Sequence, residues 1–76
     1  MTINVIYVEP AAEGWAVRQD LIANSQVFAS GAKAEDAAMR LAQRLARAGH
    51  ASEVRVFLRD GMLGGRFACP ATPAVA

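Results

Sequence analysis

The sequence is poor in the residues that build metal and redox sites. It holds one cysteine, Cys69, and one histidine, His50. A single cysteine excludes an internal disulfide, and one Cys with one His cannot make a protein-only zinc site. No cofactor is expected. A lone thiol fits a reducing compartment, so cytoplasm is the expected location. No apolar run approaches the roughly 20 residues needed to cross a bilayer, and no basic-then-apolar leader is visible. Large core formers are also few. Hydrophobic residues make up 54% of the chain, but seventeen of them are alanines. Alanine allows close packing and contributes little buried area.

Charge of one sign is not in large excess either. The formal net charge is +1. Residues 1–30 carry one arginine against three carboxylates, and residues 31–76 carry seven basic and four acidic side chains. Dedicated nucleic-acid binders usually show a stronger basic excess.

What is present points to one small domain over residues 1–69, followed by a Pro/Ala tail at 70–76 that is expected to be disordered. A chain of 76 residues buries only about 60% of the surface its unfolded form exposes. Its core is therefore thin. With no disulfide or metal to help, self-association is the remaining aid, and a homodimer is expected.

The pattern along the chain predicts an α+β fold of order ββ(β)αββ. An antiparallel sheet of four or five strands carries one amphipathic helix packed on one face. Thr2–Glu9 is rich in β-branched residues and apolar on both faces, with Pro10 as its stop and residues 10–14 as a loop. Gly14–Gln19 reads as a second strand and Ser25–Ala29 as a short third. Ala34, Ala37, Ala38, Leu41, Ala42, Leu45 and Ala48 recur at spacings of three and four, the signature of a buried helical face. The helix is expected from about Ala32 to Ala48, with Ser30 as N-cap and Gly49 as stop. Glu53–Arg59 alternates cleanly, and Asp60-Gly61 predicts a two-residue hairpin turn into Met62–Ala68. That register sets Arg55 opposite Arg66, Val56 opposite Gly65 and Leu58 opposite Leu63.

Gly14-Trp15-Ala16-Val17, then Phe28 and Ser30, then Ala34, Ala38, Leu41 and Ala42, then a strand closing on Asp60-Gly61, form a familiar order. The chain resembles, over roughly residues 3–67, a family of small bacterial proteins classed only as a domain of unknown function. Their pattern is a Gly-Trp-x-Val strand, a Phe-x-Thr lead into an Ala-rich helix, and a closing hairpin on Asp-Gly. Ser30 replaces the usual Thr and keeps the cap. Lys33 replaces the expected Glu, so half of the capping box is missing. The resemblance implies a β-rich sheet with one crossing helix and implies no activity.

Two surfaces are candidates for function. Arg55, Phe57, Arg59, Met62 and Arg66 fall on the non-core face of the final hairpin. Phe57 and Met62 are suited to seed a dimer interface with arginines at its rim. The same face also suits an anion, or simply keeps a strand soluble. Arg40, Arg44 and Arg47 form a basic stripe on the helix that reads first as a solvated face, with Arg40 answered by Asp36, and otherwise fits phosphates. Trp15 fits a core position better than a ligand site. His50 has Ser52 and Glu53 close by in sequence, but adjacency does not make a triad, and Gly61, Gly64 and Gly65 lack the strand-to-helix context of a phosphate loop. The expected function is a non-enzymatic interaction module that self-associates through the sheet. The alternative is a nucleic-acid-binding protein using the basic hairpin and helix face.

Overall fold

A computed structural model describes residues 3–20, 22 and 24–73. Five strands form one sheet: β1 (Asn4–Ala11), β2 (Gly14–Gln19), β3 (Gln26–Phe28), β4 (Ser52–Phe57) and β5 (Leu63–Cys69). The helix α1 (Gly31–Arg47) lies between β3 and β4 in sequence. The spatial order is β3-β2-β1-β4-β5. Three of the four pairings are antiparallel, and the central β1–β4 pair is parallel. Chain direction explains the parallel pair. Two hairpin reversals leave β3 running with β1. A helix then carries the chain back once, so β4 also runs with β1.

β1 runs past Pro10, which pairs with Trp15. The expected stop at Pro10 is therefore displaced. Beyond Val8, β1 has no β4 neighbour. There the missing proline N–H breaks no ladder on the β4 side. The turn is reduced to Ala12-Glu13. Of the loop expected at 20–24, Leu21 and Ala23 lie outside the described residues.

The helix forms where its alanine period places it. The Ser30 hydroxyl accepts from the Lys33 backbone N–H at 3.2 Å. At the other end, Gly49 has φ +91°, and the N–H groups of Gly49 and His50 donate to the carbonyls of Ala46 and Leu45. That is the paired closure a left-handed glycine permits. The buried stripe is Ala34, Ala38, Ala42 and Ala46. Ala48, expected on that stripe, is instead the exposed C-cap residue. Ala34, Ala38 and Ala42 meet Ile6, Val8, Val17 and Val54 on the sheet. Cys69 is half-buried, with its Sγ 3.6 Å from the Ala42 carbonyl. Of the tail expected at 70–76, the Thr72 N–H donates to the Ala46 carbonyl at 2.9 Å, and residues 74–76 lie outside the described residues.

The closing hairpin differs from the expected two-residue turn. The Gly61 N–H donates to the Leu58 carbonyl, the Leu58 N–H donates to the Met62 carbonyl, and Gly61 has φ +87°. This is a three-residue loop, Arg59-Asp60-Gly61, ending on a left-handed glycine. Met62 N–H also donates to Asp60 Oδ1 at 2.9 Å. The change moves the register by one, so Leu63 faces Phe57 rather than Leu58. A bulge then moves it back, and Val56–Gly65, Arg55–Arg66 and Val54–Phe67 pair as expected. The Leu58 side chain lies over Gly64: a Cβ there would sit 2.6 Å from it, so Leu58 would have to shift.

Candidate functional site

Residues that pair across a sheet share a face, and successive residues alternate. Ile6, Val8 and Val54 face the helix. Tyr7, Glu9, Arg18, Glu53, Arg55, Phe57 and Arg66 therefore share the other face, which α1 does not cover. Arg18, Tyr7, Arg55 and Arg66 form one continuous row across β2, β1, β4 and β5.

This open face is a connected polar network. The Arg18 guanidinium lies 4.1 Å from the Tyr7 ring centroid and contacts Glu9 and Asp20, each at 3.2 Å. Tyr7 O–H donates to Asp20, and the Tyr7 and Phe57 rings stack with centroids 6.3 Å apart. Arg55 and Arg66 are directly opposed, as the register predicts. Their repulsion is relieved within the chain. Glu53 Oε1 accepts from Arg55 Nε at 2.6 Å and lies 3.2 Å from Arg66 Nε. The Arg55 pKa is raised above its ordinary value, chiefly by that hydrogen bond and against some desolvation. Three arginines thus balance three carboxylates on this face, and an external anion is not required.

Glu53→Gln leaves two opposed arginines with no shared carboxylate. Its thermal midpoint falls by a few degrees at low salt, and added salt narrows the gap to the parent chain. Melting curves at two ionic strengths check this. A gap that does not respond to salt contradicts it.

The five hairpin residues do not form one patch. Arg55, Phe57 and Arg66 share the open face. Arg59 instead lies near Trp15, with its guanidinium 5.2 Å from the indole ring. Met62 sits in the turn region and is 64% exposed. Of the seven exposed large apolar residues among the described ones, Leu58, Met62, Leu63 and Phe67 lie on β5 and the turn before it, and Ile3, Ile22 and Val27 lie apart from them. Leu63 lies on the open face of β5 and Phe67 on the helix side. Beside Phe67 a cleft of about 230 Å³ runs between Met39 of α1 and Val54 and Val56 of β4. β5 is a sheet edge, so one side of its backbone has no strand partner among the described residues.

Arg40, Arg44 and Arg47 do come together, and they line a groove of about 630 Å³ at the other edge of the sheet. Lys33 and Phe28 line it with them. Asp36 pairs with Arg40 at 2.9 Å. Trp15 is half-buried against Gly31 and Phe28, a packing role. His50 is exposed.

Sequence reasoning missed Glu53, Tyr7 and Arg18. The signal for Glu53 was present, because residues two apart on a strand share a face. Tyr7 and Arg18 become partners only once the hairpin register through Pro10 is known.

Residues 6–66 match a family described as an uncharacterized protein conserved in bacteria (DUF2188). No curated protein and no solved structure matches the chain.

Proposed function

The chain belongs to DUF2188, a bacterial family with no assigned activity, and from that premise we propose that it is a non-enzymatic interaction module that self-associates, pairing β5 of one copy with β5 of another. It works in the cytoplasm, the compartment a lone thiol fits. The reading is carried by one observation. β5 is a seven-residue edge strand with exposed Leu63 and Phe67 on its two faces and a single charge, Arg66. Soluble proteins usually blunt such an edge with lysine, proline or a cover. The bulge at Gly64 blunts only its first residues, and Arg66 is tied to Glu53.

Two further features support this reading. Among the described residues, the buried hydrophobics are nine, and five of these are alanines. A core that thin gains from surface buried against a second copy. The carboxylates of the open face are also occupied: Glu53 serves two arginines, Glu9 serves Arg18, and Asp20 serves Arg18 and Tyr7. None is held ready for acid–base work. The arginine rim foreseen around Phe57 gives way to the β5 edge, because Phe57 is half-buried and stacked on Tyr7.

Sedimentation equilibrium at micromolar concentration tests the proposal. The expected species has twice the 8.0 kDa chain mass. Leu63→Lys with Ala68→Lys puts two charges on the open-face side of β5 without touching the buried core. This variant keeps its fold and dissociates at least about tenfold more readily, since two-fold pairing brings like charges together. A parent chain that sediments as a folded monomer throughout overturns the proposal.

A further inference from the structure

We propose that the groove between α1 and β3 binds single-stranded nucleic acid through its phosphates. The proposal does not depend on self-association, because this groove lies at the β3 edge of the sheet and the pairing edge is β5.

The groove concentrates positive charge. Lys33, Arg40, Arg44 and Arg47 line the groove against one carboxylate, Asp36. The groove is therefore net +3, whereas the whole chain is +1, which leaves −2 for everything else. The open sheet face cancels its own charges, and this groove does not. Asp36 engages Arg40. Among the described residues, no carboxylate pairs with Lys33, Arg44 or Arg47.

The groove also has the shape for a strand. From Lys33 to Arg47 the helix rises about 21 Å, long enough to run beside several consecutive phosphates of an extended strand. The groove is concave, with half-buried Phe28 among its lining residues. A flexible single strand can follow the cations and lay a base on the Phe28 ring. A duplex is too wide and too stiff to bring a base to that depth. An acidic peptide would use the charges but has no base to stack on the ring.

Fluorescence anisotropy with a labelled oligothymidylate tests this directly. Three phosphate contacts predict a logarithmic salt slope near −2, or roughly 20-fold weaker binding on going from 50 to 200 mM salt. Arg44→Gln with Arg47→Gln is expected to lower affinity more than tenfold and flatten the slope to about −0.7. Phe28→Leu keeps an apolar side chain and lowers affinity about tenfold with the slope unchanged. Arg55→Gln, on the open face, leaves affinity as it was. Absence of binding at micromolar protein and low salt overturns the proposal. So does equal or tighter binding of a duplex or of a polyglutamate peptide. A loss at Arg55 instead of Arg44 and Arg47 overturns the location.

Discussion

Replacing Gly14 with alanine is expected to cost about 3 kcal/mol and to detach β3 from the sheet. Gly14 has φ +120°, a conformation that strains any side chain. A Cβ there would also lie 2.3 Å from the Phe28 carbonyl oxygen. That oxygen belongs to backbone, so no rotamer change relieves the clash. β3 must move, and its pairings Trp15–Phe28, Ala16–Val27 and Val17–Gln26 weaken together. Gly61 provides the control. It too has a positive φ, +87°, but nothing lies within 4 Å of its Cβ position. Gly61→Ala therefore incurs conformational strain alone, about 1 kcal/mol. Urea denaturation of both variants checks the contrast. Equal losses contradict the close approach at Gly14.

Ile6→Ala is expected to remove about 2–5 kcal/mol, the usual cost of deleting a buried isoleucine side chain. A chain of 76 residues has a total stability of roughly 4–11 kcal/mol at ordinary values per residue. The variant thus loses a large part of what holds it folded. Ile6, Val8 and Val54 are the largest fully buried side chains among the described residues. Ile6 pairs with Val54 across the parallel β1–β4 junction. Above it lie helix alanines, which have no rotamers with which to fill a cavity. Val5, one residue away, faces the open side and is half-buried. Val5→Ala costs under half as much on the same denaturation curves. A loss at Ile6 below about 1 kcal/mol would mean that the helix settles into the gap.

The same residues show what a sequence discloses and what it withholds. The alanine period placed the helix face up to its last turn, where Ala46 is buried instead of the expected Ala48, because a 3.6-residue repeat is a local property. The pairing of Arg55 with Arg66 was also legible from Asp60-Gly61, although for an incomplete reason. The turn carries one more residue than expected, and the bulge at Gly64 compensates for it. Leu63 lies between those two shifts and therefore changes face. The parallel β1–β4 pair was not legible, since strand order depends on where the helix sets the chain down. The groove was half legible. Periodicity groups Arg40, Arg44 and Arg47, but Phe28 joins them only through the placement of β3. The basic hairpin face was misleading for a physical reason: its arginines are answered from within, by Glu53.

If β5 pairs with its own copy in antiparallel fashion, the two-fold axis stands perpendicular to the sheet. Both helices then lie on one side of a ten-stranded sheet, and the two basic grooves sit at its far ends. Amide hydrogen exchange at two protein concentrations tests the central claim most directly. Amides of Gly65–Cys69 should exchange more slowly at the higher concentration, while those of Gln26–Phe28 at the opposite edge should exchange at the same rate in both. Exchange along β5 that is independent of concentration, or protection that develops on β3 instead, would contradict it.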